Sequence, residues 1–153
     1  MTIDTFISQL CEHCGLQADS VAIEIIESED DRIEVKIDLP EEDSGLFIGY
    51  HGETLDAIQR ITRLVFFRTH PDKKISVNIN GYREDREEKL REMVMSIGIR
   101  VLETGESYTF NSFLPANERY IIHSTLSEEE SLAGLESISE GNGRDRRLTI
   151  RVK

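Results

Sequence analysis

Hydrophobic residues change their period along the chain, and the changes mark out helices and strands. Ile3, Phe6, Ile7, Leu10 and Cys14 recur every three or four residues before Gly15, which predicts an amphipathic helix over residues 3–14. Val21 to Glu27 is rich in β-branched residues. Ile33, Val35, Ile37 and Leu39 alternate with Glu34, Lys36 and Asp38, the pattern of a strand buried on one face. The acidic run Glu27 to Asp31 between them reads as a solvated hairpin turn. Pro40 ends the second strand, and Glu41, Glu42, Asp43 and Ser44 offer N-caps for a short helix through Ile48. Leu55, Ile58, Ile61, Thr62 and Val65 then mark one face of a longer helix reaching about Thr69. Ile75, Val77 and Ile79 alternate as a third strand.

The second half is patterned differently. From Arg83 to about Glu103 a highly charged stretch carries Leu90, Met93, Val94, Ile97, Val101 and Leu102 on one side, which predicts a long amphipathic helix with an ion-paired wet face. Tyr108 to Phe113 reads as a short strand, and Pro115 opens a helix that continues through Arg119 to Leu126. Leu135 to Ser139 and Leu148 to Val152 read as paired strands around Gly141-Asn142-Gly143. No repeat or low-complexity linker interrupts the chain, so the joint over residues 82–106 is expected to be a rigid helix.

Between the two helices at residues 41–48 and 55–69 lies Ile48-Gly49-Tyr50-His51-Gly52-Glu53-Thr54-Leu55. Two glycines three apart permit positive φ and a close approach of backbone to a ligand. The start of the following helix turns its amides and the positive end of its dipole outward, which suits a phosphate. With ten glycines in 153 residues a bare Gly-x-x-Gly is common, and its flanks give it meaning.

Charge narrows the choice of ligand. The net charge of −12 disfavours a general polyanion binder, whose affinity comes from neutralising phosphates. Its distribution is uneven: residues 1–81 hold 7 basic and 16 acidic groups, residues 82–106 hold 5 and 7, and residues 107–153 hold 6 and 7. In the last twelve residues Arg144, Arg146, Arg147, Arg151 and Lys153 face only Asp145, so a local basic patch survives. No apolar run is long enough to span a bilayer, and the N-terminus lacks a basic leader with an apolar block, so a cytoplasmic location without membrane insertion is expected. Cys11 and Cys14 have no second pair to complete a zinc site, and they close a helix where a redox pair would open one. Cys14 is expected to be a small buried hydrophobe and Cys11 a flanking thiol. There is no Walker-type lysine, metal-ligand cluster or evident nucleophile–base pair, so neither cofactor nor catalysis is expected.

The order helix, strand, strand, helix, Gly-x-x-Gly, helix, strand is that of a type II KH domain. The segment Ile48 to Gln59, and the exit Val77-Asn78-Ile79-Asn80-Gly81-Tyr82-Arg83 into the long helix, resemble the bacterial Jag (SpoIIIJ-associated, Khp-type) family. That family continues into an R-three-H domain, named for Arg-x-x-x-His. Here Arg119-Tyr120-Ile121-Ile122-His123 stands in the matching place, with Ser139-Glu140-Gly141 and Arg146-Arg147-Leu148-Thr149-Ile150 resembling the closing strands. The resemblance covers about residues 20–153. It implies an α+β protein: a type II KH domain (αββααβ) over residues 1–81, a connecting helix over 82–106 and a small R-three-H α/β domain over 107–153.

The resemblance further implies a noncatalytic binder of single-stranded RNA, with single-stranded DNA as the related ligand. The family includes post-transcriptional regulators and RNA chaperones linked to bacterial cell elongation, and its implied protein partner is a small KH-only protein or a second copy. Gly49 and Gly52 would admit the sugar-phosphate, Tyr50 and His51 would project toward it, and Ile48, Leu55, Ile58 and one strand edge are groove candidates. The two residues inside this turn are often basic in the family, so phosphate attraction here rests more on amides and the helix dipole. Arg119 and His123, four apart on one helix face, would grip a second phosphate, widened by Arg144, Arg146 and Arg147. Family members often carry a further N-terminal domain, and functions of that part are not carried over. The alternative is a protein-interaction or dimerisation module with weak or lost RNA binding, to which the acidic first 81 residues also point.

Overall fold

A computed structural model describes all 153 residues, which divide into two compact units, Met1–Arg83 and Glu84–Lys153. The first contains α1 (Ile3–His13), β1 (Ala22–Ser28), β2 (Arg32–Asp38), α2 (Glu41–Ile48), α3 (Glu53–Phe66) and β3 (Lys74–Ile79). Its sheet has the order β1-β2-β3. The hairpin pairs β1 with β2 antiparallel, Ile25 opposite Val35, whereas β2 and β3 run parallel with Val35 opposite Val77. A parallel pair needs a crossover. The segment that crosses is α2, the glycine turn and α3, so the turn stands at the elbow of the connection. This is the type II KH arrangement.

Strand alternation builds the core. Ile33, Val35 and Ile37 of β2 and Ile75, Val77 and Ile79 of β3 point to one face and are buried under Ile3, Ile7 and Cys11 of α1, Phe47 of α2 and Leu55, Ile58 and Phe66 of α3. Asn80 joins the exits of the two parallel strands: its Oδ1 accepts from the Leu39 amide at 2.8 Å and its Nδ2 donates to the Leu39 carbonyl at 2.9 Å. Those two bonds fix where α2 starts.

Several expectations change in detail. The buried stripe of α1 is Ile3, Ile7, Cys11, at strict four-residue spacing, so Cys11 is the buried thiol and Cys14 the exposed one. Burial pushes the Cys11 thiol up to about 11. The short helix α2 is capped by Pro40 with no side-chain hydrogen bond, and Glu41, Glu42 and Asp43 stabilise its first turn through the dipole. On α3 the inward stripe is Leu55, Ile58, Thr62, Phe66, while Ile61 and Val65 face outward. Phe66 follows the three- and four-residue steps from Leu55 through Ile58 and Thr62, and it packs edge-to-face on Phe6 at 5.8 Å.

The second unit holds α4 (Tyr82–Thr104) from its third residue, β4 (Tyr108–Thr109), α5 (Ala116–Glu128), β5 (Leu135–Glu140) and β6 (Arg147–Val152). Its antiparallel sheet has the order β4-β6-β5. Leu90, Val94 and Val101 of α4, Ile122 and Leu126 of α5, and Leu135, Leu148 and Ile150 of the sheet share one core. Met93 and Leu102, expected on the apolar side of α4, lie largely outside it. The strand expected over residues 108–113 shortens to Tyr108–Thr109; the Phe110 amide still donates to the Leu148 carbonyl at 2.9 Å, and the chain bends at residues 111–112. Arg86 grips Glu118 with two bonds of 2.7 and 3.1 Å, and the Glu118 side chain is 1% exposed. No helix is long and apolar enough to cross a membrane.

Candidate nucleic-acid interface

The glycine turn of the first unit has a fixed shape. Gly49 sits at φ 72°, ψ −175°, His51 at φ 51°, ψ 26°, and Gly52 at φ 82°, ψ 12°. The first of these values belongs to a region essentially closed to other residues. A Cβ on Gly49 would stand 2.2 Å from Thr54 Oγ1 and 2.9 Å from the Thr54 backbone nitrogen. The first glycine is therefore demanded by the fold itself, whatever approaches from outside. At Gly52 a Cβ would meet the Tyr82 ring at 3.1 Å.

Between the glycines, Tyr50 is 58% exposed and His51 is half-buried, their rings edge-to-face at 4.2 Å. Gly52 is the N-cap of α3 and brings no side-chain acceptor to its first turn. Glu53 and Asp56 lie in that turn, where they complement the dipole and oppose an incoming phosphate. Asp56 is paired with Arg83 at 3.0 Å. A hollow of about 840 Å³ runs along α3, lined among others by Glu53, Asp56, Arg60 and Arg63, so its walls carry both signs. Leu55 and Ile58, at 1% and 7% exposure, are core residues and not groove walls; Ile48 is half-buried.

In the second unit, Arg119 and His123 project from the same face of α5. Arg119 Nη1 donates to the Leu114 carbonyl at 2.6 Å, which orients the guanidinium at the helix start. His123 meets two strand hydroxyls: Nδ1 is hydrogen-bonded to Ser137 Oγ and Nε2 to Ser139 Oγ at 3.3 Å. These serines are two apart on β5 and so share a face. A neutral imidazole needs one donor and one acceptor, and a pair of hydroxyls supplies both. Burial first, then the Arg119 and Arg146 guanidiniums, hold the His123 pKa below its ordinary value. Arg119, His123 and Arg146 thus form one cluster.

The three arginines of the closing loop have different roles. Arg146 is half-buried, and its Nε is buried with no acceptor from the protein. Water or an anion can take such a guanidinium N–H, and an anion takes it more strongly. Arg147 turns back, donating to the carbonyls of Arg144 at 2.7 Å and Arg146 at 3.1 Å, so it braces the loop. Arg144 is exposed in the loop. Ser137 and Ser139 were not among the residues expected at this site. The sequence signals are the repeat of serine at two-residue spacing in a strand and, for Ser139, its place in the Ser139-Glu140-Gly141 stretch that resembles the family's closing strands.

These two units define a class: a type II KH domain followed by an R-three-H domain. Comparison with known families agrees, matching residues 4–79 to the KH domain of KhpA/KhpB and residues 88–152 to the R-three-H domain. The chain belongs to the Jag family of tandem KH and R-three-H proteins, together with relatives named RNA-binding protein KhpB. The KhpB of Bacillus subtilis is 33% identical over 121 residues, 78% of this chain and 57% of the relative. That of Clostridium symbiosum is 28% identical over 149 residues, 97% of this chain and 64% of the relative. That of Streptococcus pneumoniae serotype 2 is 29% identical over 134 residues, 86% of this chain and 40% of the relative. The chain spans less than two thirds of the length of each of these three.

Proposed function

We propose that this protein binds single-stranded RNA without catalysing a reaction, through phosphate contacts in both units. The observation that carries the reading is the cluster of Arg119, His123 and Arg146, in which a buried guanidinium N–H lacks a protein acceptor. The exposed Tyr50 and the turn around it offer a second contact. Linking two modest sites raises avidity through effective concentration. The relatives' names and the two domain types support the same ligand, and a role as post-transcriptional regulator or RNA chaperone in the cytoplasm, linked to cell elongation, extends it. A small KH-only protein or a second copy is the proposed protein partner.

Filter binding of a labelled single-stranded RNA at several salt concentrations tests this. Affinity should fall with salt, by a slope that shrinks by about one for each phosphate contact removed. Tyr50→Asp with His51→Asp is the suitable first variant, because both side chains lie outside the core and an aspartate tolerates the φ of 51° at residue 51. Arg119→Ala with Arg146→Ala probes the other unit. Absence of binding by the parent protein at low salt refutes the reading.

One observation favours the interaction module. Ile61, Leu64, Val65 and Phe67 at and beyond the end of α3 are 49%, 72%, 42% and 65% exposed. An apolar face of that kind is a common mark of a protein contact. Sedimentation of the parent and of Leu64→Glu separates the two: a complex lost in the variant, with no RNA binding in the parent, would make association the main role.

A further inference from the structure

The outer edge of β3 is already occupied by the protein's own side chains. β3 is an edge strand, paired only with β2. Lys74 and Asn80 donate their amides inward, to the carbonyls of Asp31 at 2.8 Å and Ile37 at 3.0 Å. In a parallel ladder the alternate residues then turn their backbone groups outward, which places those of Ile75 and Val77 on the open edge. Such an edge presents donors and acceptors to any extended chain or planar ligand that slides alongside.

Two residues of α3, one helical turn apart, close it. Gln59 Oε1 accepts from the Val77 amide at 3.0 Å, and Arg63 Nε donates to the Ile75 carbonyl at 2.6 Å. Arg83 Nη2 steadies the glutamine, donating to Gln59 Oε1 at 3.3 Å and to Asp56 Oδ1 at 3.0 Å. A nucleobase edge carries the same two functions, an acceptor and a donor side by side. We propose that Gln59 and Arg63 form a latch on the edge of β3, which a base must displace to be read, and that they thereby set how strongly the KH unit discriminates bases. The proposal rests on the RNA-binding reading above. With the latch closed, the glycine turn can still meet a sugar-phosphate, but base identity contributes little. Displacement exchanges protein hydrogen bonds for base hydrogen bonds, so removing one latch bond should strengthen base contacts by a factor of roughly three to ten.

The test compares two oligomers of equal length on the full chain: a single-stranded RNA of mixed sequence and an abasic ribose-phosphate chain, which carries the phosphates without the bases. In Gln59→Ala, the ratio of RNA affinity to abasic affinity should rise three- to tenfold over the parent, and the Val77 amide should exchange faster in the free protein. Gln59→Met keeps the volume and serves if the alanine variant is unstable; it should raise the ratio by a similar factor. An unchanged ratio, with or without new self-association of the variant, overturns the latch and leaves edge protection as the role of these residues. A lowered ratio also overturns it, showing that Gln59 itself contacts the base. If the parent binds neither oligomer in a salt-dependent way, the RNA-binding reading has failed, and that outcome is distinct from the others.

Discussion

Replacing Gly49 with alanine should destabilise the first unit severely. Its φ of 72° and ψ of −175° lie in a region essentially reserved for glycine, at a cost of about 1–3 kcal/mol for any other residue. The added Cβ would also lie 2.2 Å from Thr54 Oγ1, 2.9 Å from Thr54 Cβ and 2.9 Å from the Thr54 nitrogen. Overpacking of this kind costs about 1–3 kcal/mol more. A unit of the size of Met1–Arg83 has on the order of 4–12 kcal/mol in all, so a loss of about 2–6 kcal/mol is a large share. The double variant Gly49→Ala, Thr54→Ala removes the shortest contact and leaves the backbone contact and the positive φ, so at most about half of the loss should return. Gly52→Ala is the comparison: φ 82°, ψ 12° is left-handed backbone, costing about 1 kcal/mol, and the Tyr82 ring, 3.1 Å from the added Cβ, must also shift slightly. Pulsed hydrogen exchange across a urea series reads residues 1–83 separately from 84–153. A loss at Gly49 below about 0.5 kcal/mol, or full recovery in the double variant, would refute the claim that the turn is held from within.

Three further outcomes are expected. His123 should titrate below about 6.5 in the free protein, since burial and two guanidiniums disfavour its charged form; the stability this neutral ring permits is present above the unfolded value and is lost as pH falls from there through the folded value, and His123→Gln should remove that dependence in chemical denaturation. Phosphate in the cluster should raise the His123 value, so an NMR titration with and without RNA should show an upward shift. Glu118→Ala leaves Arg86 beside an empty buried site and should cost the second unit roughly 3–5 kcal/mol, whereas Glu136→Ala, which breaks a solvent-exposed pair with Arg151, should cost under about 1 kcal/mol; urea midpoints compare the two. Arg119→Ala and Arg146→Ala should each weaken RNA binding across all base compositions and lower the salt slope, whereas Arg147→Ala should act through the loop and leave the slope unchanged.

The elements of the first unit were legible because strands alternate strictly: Ile33, Val35, Ile37 and Ile75, Val77, Ile79 admit only one inward face. Helical faces were less so. The apolar residues of α3 cover more than one stripe, and only tertiary packing places Phe66 and Thr62 inward, the threonine hydroxyl being satisfied by the Ile58 carbonyl at 2.8 Å. Cys11 and Cys14 lie three residues apart, just under one helical turn, and the four-residue rhythm of Ile3 and Ile7 settles which is buried. At the site, the spacing of Arg119 and His123 was visible within a single helix. Ser137 and Ser139 were not, because they reach His123 across fourteen and sixteen residues of chain. Arg144, Arg146 and Arg147 are alike as letters; the strand register that sets Arg147 opposite Glu140 and the bend before it give them separate tasks.

On the proposed reading, a turn in one unit and a cationic cluster in the other both meet single-stranded RNA. Backbone amide shifts of the labelled full chain, titrated with a single-stranded RNA of about a dozen nucleotides, read both sites at once. Tyr50, His51 and Gly52 should move, together with Arg119, His123, Ser137, Ser139 and Arg146, and a duplex of the same sequence should move them less. Shifts confined to Ile61, Leu64 and Phe67, or none at low salt, would contradict it.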